Sequence, residues 1–199
     1  CLLFVRWGAN NVLITNPRDI AGFIKELKRV RFTAMTGVNT LFNALLNSPA
    51  IREVDASALK IAVAGGMAVH RSVAQRWQET MGIALVEGYG LTEASPLTHL
   101  NSVLDDGLNV PESVGLLAPD TEQKVVDIET GERVLGPGEV GEICVRGPQV
   151  MQGYWKAPEA TAVAIRDGWL YTGDIGYMDA HGYTFIQDRK KEMIKYKGF

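Results

Sequence analysis

Residues 87 to 96, EGYGLTEASP, bring two glycines, an aromatic ring, a hydroxyl and carboxylates into seven consecutive positions. That combination suits a nucleotide. Glycine lets a flat base approach the backbone, Tyr89 offers a stacking face, Thr92 can donate to a phosphate oxygen, and Glu93 carries the hard oxygen donors that Mg²⁺ prefers. The same residues also make an ordinary strand-to-turn junction, with the glycines at positive φ, Tyr89 in the core and Thr92-Glu93 opening a helix. Three further segments bear on the choice. In AGGMAV (64–69), Gly65 and Gly66 could form the opposite wall of a base slot, although a tight strand-to-helix turn uses them equally well. GWLYTGDIG (168–176) holds Asp174, whose two oxygens match the neighbouring hydroxyls of a ribose; an aspartate in a turn is the plainer alternative. QDRKKEMIKYKGF (187–199) sets Arg189, a side chain suited to planar recognition of ribose or phosphate oxygens, beside Lys190, Lys191, Lys195 and Lys197. A run of charge is usually a solvated face, and Lys190 is expected to lie on one.

Helices and strands must hold these segments together. After the apolar run Val12–Ile14, the stretch NPRDIAGFIKELKRV predicts a helix with Asn16 as cap and Pro17 at its first position. Ile20, Phe23, Ile24 and Leu27 fall on one face of it. RFTAM is strand-like, and GVNTLFNALLN repeats the helical spacing through Val38, Leu41, Phe42 and Leu45. LKIAVAGG is another strand. VHRSVAQRWQETMG is a helix with Val69, Val73, Trp77 and Met81 four apart and Gly82 as C-cap, and IALVEGYG is the strand that follows. Strands alternating with helices imply βαβ units and a mainly parallel sheet, whose carboxyl-end loops are open to ligands. Both glycine segments lie at such ends.

From about residue 107 the runs SVGLLAP, EQKVVDI, GEVGEICVRG and GYTFIQD, divided by ETGE, GPGE and DAHG, predict a small antiparallel barrel or sandwich. The expected fold is therefore α/β. Residues 1–106 form a mainly parallel βαβ subdomain, residues 107–187 a β-barrel-like one, and residues 188–199 a hinge to a further domain. An apolar content of 46% with 22% charge allows one sizeable core or two small ones, and a net charge of -3 does not suggest nucleic acid. Cys1 and Cys144 support neither a disulfide framework nor a zinc site, and the scattered His70, His99 and His181 are assigned no metal. CLLFV has neither the flank nor the length of a signal peptide or membrane span. A cytoplasmic location is expected, with room for peripheral contact at a membrane, and the abrupt ends read as those of a piece of a longer chain.

The order of motifs adds to this reading. YGLTE, GEICVRGPQVMQGYWKAPEAT, WLYTGD and DRKKEMIKYKGF resemble, in order and approximate spacing, the adenylate-forming superfamily of acyl-CoA synthetases, luciferases and peptide-synthetase adenylation domains. GGMAV, EGYGLTEASPL and GPQVMQGYW look most like bacterial long-chain fatty-acid-CoA ligases. The resemblance implies the large N-terminal domain of such an enzyme. It also implies activation of a carboxylic acid by ATP to acyl-AMP and pyrophosphate, then thioester formation with coenzyme A. Aryl-CoA ligases, fatty acyl-AMP ligases and a non-catalytic nucleotide-binding fragment are the alternatives. By the same likeness, Gly65 and Gly66 line an adenine slot whose other side is Glu87, Gly88 and Tyr89. Thr92 and Glu93 are the catalytic pair, Thr92 on phosphate and Glu93 on Mg²⁺. Asp174 takes the ribose, Arg189 the ribose or its phosphate, Lys191 is the hinge, and Lys197 and Gly198 meet coenzyme A. Thr36, Gly37 and Val38 would line the acyl pocket. The family's phosphate loop and its C-terminal lysine have no match within these residues, so this chain alone is expected not to turn over.

Overall fold

The computed structural model describes residues 2–104 and 107–190. After the short helix α1 (Leu2–Arg6), Asp19 caps α2 (Ile20–Arg29). Its Oδ1 accepts the N–H of Gly22 at 3.0 Å, one of the amides a first helical turn leaves without a partner. The cap is therefore Asp19 and not Asn16. Asn16 is engaged one turn earlier, where its Oδ1 accepts the N–H of Arg18 at 3.2 Å, and Pro17 precedes the helix. The apolar run Val12–Ile14 forms no strand.

Strands β1 (Ala34–Gly37), β2 (Ile61–Ala64) and β3 (Leu85–Gly90) pair in parallel in that order. Helices α3 (Asn39–Leu46) and α4 (Arg71–Met81) stand among the crossovers. The stripe read from the sequence packs them, since Val73, Trp77 and Met81 of α4 are buried and Trp77 meets Phe42 of α3 edge-on, with 4.7 Å between ring centres. Gly82 ends α4 in the left-handed region at φ 77°, where a side chain is strained. Val38 departs from its stripe. It is the extended residue before α3 and is 39% exposed. The buried residue at that end is Asn39, whose Oδ1 accepts the N–H of His70 at 3.0 Å and so joins the starts of the two helices.

Beyond β3 the sheet turns antiparallel through β4 (Leu97–Leu100) and β5 (Leu116–Leu117), giving the order β1-β2-β3-β4-β5. The run SVGLLAP thus supplies the last strand of the first sheet. Strands β6 (Glu122–Val126), β7 (Gly141–Arg146), β8 (Ile165–Arg166), β9 (Trp169–Met178) and β10 (Thr184–Arg189) form a second, antiparallel sheet. Its order is β10-β9-β7-β6, with β8 on β9 and helix α5 (Pro158–Ala164) leading into β8. The sheets are tied where Val114 N–H donates to Thr184 O at 2.8 Å and Thr184 N–H to Gly115 O at 3.2 Å. A large core surrounds Phe42, Leu45 and Trp77, and a smaller one gathers Ala94, Ile143, Val145 and Leu170. Ala94 follows Glu93 directly, so the second core anchors the turn that carries the expected catalytic pair. Among the described residues no helix is long and apolar enough to cross a membrane.

Candidate functional site

Strands β2 and β3 finish side by side, with Ala64 opposite Glu87. The next residues are close enough that a Cβ on Gly65 would stand 3.4 Å from the carbonyl oxygen of Gly88. Gly66 follows at φ 78°. Glu87 folds back so that its Oε2 accepts the N–H of Val69 at 3.3 Å, and burial raises its carboxyl pKa against that bond. A cleft of about 280 Å³ opens beside it, lined in part by Val69, Arg71, Glu87 and Glu112. On the other side, Gly65 N–H donates to Gly37 O at 3.1 Å. The glycine read as leaving room for an acyl chain has its free side filled, because a Cβ there would stand 3.0 Å from Leu41 and 3.1 Å from Phe42. Thr36 and Val38 next to it are exposed.

Asp174 lies in strand β9, only 4% exposed, which removes the turn reading. Arg189 is its cross-strand partner on β10, and Arg189 Nε donates to Asp174 Oδ1 at 2.6 Å. From the first sheet, Tyr89 Oη donates to Asp174 Oδ2 at 2.5 Å. Three residues chosen from separate motifs therefore make one constellation. Burial first, then the adjacent carboxylate, push the Tyr89 hydroxyl far above its ordinary range, so it stays protonated and donates. The guanidinium pKa of Arg189 is raised by its hydrogen bond to Asp174, with a smaller contribution from Glu93. Both oxygens of Asp174 are engaged within the protein, yet a carboxylate offers about four lone-pair sites, so a diol can share them.

Behind Tyr89, His99 is fully buried, 5.6 Å between ring centres. Its Nε2 meets Gln123 Oε1, and its Nδ1 lies 2.9 Å from Thr98 Oγ1. Gln123 Nε2 in turn donates to Thr184 Oγ1 at 3.1 Å, which makes the imidazole part of the tie between the sheets. Burial holds its pKa down to about 4 from 6.5. The unfolded chain takes up this proton near 6.5 and the folded one only near 4, so the network's stability is full above that window and is lost as pH falls through it. The slope cannot exceed about 1.4 kcal/mol per pH unit. Urea midpoints at several pH values should fall with acidification more steeply for the native protein than for His99→Asn; parallel curves would exclude His99 as the source.

Thr92 to Ala94 form a single 3₁₀ turn. Thr92 is exposed, and Glu93 is held by a loop of the second sheet. Met151 N–H donates to Glu93 O at 2.7 Å, and Tyr154 Oη donates to Glu93 Oε1 at 2.7 Å. Reasoning from sequence did not single out Tyr154, and the only sign of it was its place in GPQVMQGYW. Among the described residues no group of three or more His, Cys, Asp or Glu side chains could cage a metal. A lone carboxylate fits a hard cation that takes its other ligands from phosphate and water.

Lys190 is exposed, as expected, but it is paired rather than simply solvated. Its Nζ donates to Glu142 Oε2 at 2.7 Å, and Glu142, 4% exposed, takes the N–H of Gly173 on its other oxygen at 3.1 Å. A buried carboxylate requires a counterion, and Lys190 is positioned to supply it. Lys191, Lys197 and Gly198 lie outside the described residues.

The sequence pattern of the family described as AMP-binding enzyme matches residues 1–155. The chain belongs to this family. Over all 199 residues it is 54% identical to the long-chain-fatty-acid–CoA ligase of Salmonella typhimurium, of which it spans 35%. ATP-bound MatB from Rhodopseudomonas palustris superposes with a TM-score of 0.76 at 34% identity, over 92% of this chain and 35% of that one. An anthranilate CoA ligase, AuaEII, in complex with anthranoyl-AMP superposes at 0.85 and 27% identity, over 96% and 36%. As a member of the AMP-binding enzymes, the chain carries the α/β layer and antiparallel sheet that these N-terminal domains share, and it spans about a third of the relatives' length.

Proposed function

We propose that the protein containing this chain is an ATP-dependent long-chain fatty-acid-CoA ligase. The observation that carries the proposal is 54% identity, across the whole chain, to a ligase of that name. The constellation of Tyr89, Asp174 and Arg189 supports this reading. In the first step a carboxylate oxygen of the acid attacks the α-phosphorus of ATP and pyrophosphate leaves. In the second, the sulfur of coenzyme A attacks the acyl carbonyl carbon, and AMP leaves with the bonding electrons.

Adenine lies in this reading between Gly65-Gly66 and Glu87-Gly88-Tyr89. Asp174 accepts from the ribose hydroxyls, and Arg189, already turned toward Asp174, donates to ribose or phosphate oxygen. Thr92 donates to phosphate. Glu93 holds Mg²⁺, which when bound supplies the neutralisation that lets two anions meet. Lys191 serves as hinge and Lys197-Gly198 meet coenzyme A. Thr36 and Val38 present exposed surface toward an acyl group, whereas Gly37 packs against α3.

The test is pyrophosphate release by the full-length protein with ATP, Mg²⁺ and coenzyme A, across saturated acids of increasing length together with 4-coumarate and benzoate. The expected result is a maximum among long saturated acids. A maximum with the aromatic acids would retain the adenylation chemistry and reassign the substrate, and no pyrophosphate with any acid would end the proposal.

A further inference from the structure

We infer that Tyr154 is the positioning residue of Glu93, fixing which way its carboxylate faces a metal–nucleotide complex; this rests on the reading of Glu93 as the carboxylate that meets the metal. A glutamate on a one-turn 3₁₀ element has rotatable side-chain bonds and no neighbour of its own to fix them. In this chain a loop from the other sheet supplies the constraint, and it does so twice. Met151 N–H holds the main-chain carbonyl of Glu93, and the Tyr154 hydroxyl holds Oε1. Among the described residues no hydrogen-bond donor meets Oε2, which leaves that oxygen directed by the phenol and available to a cation.

The loop is itself braced. Tyr154 N–H donates to Thr161 Oγ1 at 2.9 Å, and that hydroxyl donates to Ala157 O at 2.9 Å, so the first turns of α5 set the phenol's backbone. The close approach depends on Gly153, at φ 155°, where a Cβ would stand 2.7 Å from Thr161 Cγ2. A chance contact between two surface side chains needs no such support.

The test titrates Mn²⁺ into the full-length protein saturated with a non-hydrolysable ATP analogue, following free Mn²⁺ by electron paramagnetic resonance, and measures analogue affinity separately in EDTA. Tyr154→Phe should weaken Mn²⁺ binding on the order of 3- to 10-fold, the net worth of one ordinary hydrogen bond at an exposed site, and leave metal-free analogue affinity unchanged. Glu93→Gln should weaken it further, and adding Tyr154→Phe to Glu93→Gln should cost nothing more. Gly153→Ala, which keeps the hydroxyl and displaces the arm, should reproduce the Tyr154→Phe loss. Unchanged Mn²⁺ affinity in Tyr154→Phe, with a loss in Glu93→Gln, would overturn the positioning role alone. No loss in either variant would remove the Glu93 reading as well, and an equal loss of metal-free analogue binding in Tyr154→Phe would reduce Tyr154 to a loop brace.

Discussion

Asp174→Ala is expected to weaken AMP binding by the full-length protein at least tenfold, and up to about a hundredfold. Hydrogen bonds to a charged group contribute about 1.5–3 kcal/mol, and each 1.4 kcal/mol is a factor of ten. Ribose contact is only part of the loss. The carboxylate also accepts from Tyr89 and Arg189, so its removal frees the guanidinium to turn into solvent and leaves a largely buried phenol without its acceptor. Stability should therefore fall too, by about 1–3 kcal/mol for the stranded hydroxyl. Tyr89→Phe separates the two consequences, because it removes the same hydrogen bond from the donor side, strands no hydroxyl and keeps the Asp174–Arg189 pair. It should cost a few-fold in AMP affinity at most. Calorimetric titration with AMP, alongside the melting temperature of each variant, reads both effects. Unchanged affinity in Asp174→Ala would leave the carboxylate as a tie between sheets with no part in nucleotide binding.

What could be read from sequence follows from how local each signal is. Val73, Trp77 and Met81 repeat at the helical period, and Gly82 follows where a left-handed residue is needed, so α4 and its buried face are visible within a dozen residues. The cap of α2 is a finer matter, since Asn16 and Asp19 both precede the apolar stripe and only the backbone path decides between them. Asp174 and Arg189 were recognisable as residue types. Their pairing was not, because it depends on the β9–β10 register, which shifts by a bulge between Ile186 and Asp188. Tyr154 and Glu93 are joined only because the loop after β7 meets the connection between β3 and β4. Glu142 was hidden for a different reason: β7 is buried from Gly141 to Val145, so it lacks the alternation that would mark an inward-facing carboxylate as an exception. With Glu142 unseen, Lys190 had no visible partner and looked like one more charge in a basic run.

That pair supplies the second large effect, which is asymmetric. Lys190→Met should destabilise the protein by about 2–3 kcal/mol, toward the low end for breaking a buried ion pair because Lys190 itself is partly solvated. The variant leaves Glu142 with the N–H of Gly173 as its remaining bond, in a strand where water does not reach it. Glu142→Gln should cost less than about 1 kcal/mol. The amide oxygen can still accept from Gly173, and the lysine, about a third exposed, can turn its ammonium into solvent. The double variant should then be more stable than Lys190→Met alone, since the uncompensated charge is gone. Urea denaturation of the four proteins measures this directly, and equal losses in the two single variants would mean that the pair acts as a surface contact. The pair matters beyond stability. Lys190 N–H donates to Gly173 O at 2.7 Å, and Gly173 adjoins Asp174. Through Arg189 and Lys190, two successive side chains fasten the end of β10 to two buried carboxylates, Asp174 on β9 and Glu142 on β7. Under the proposed hinge role of Lys191, these ties lie immediately before it. Loosening Lys190 should then disturb the balance between acyl-AMP formation and thioester formation in the full-length protein, and since Lys190→Met and Glu142→Gln release the same tie, both should do so.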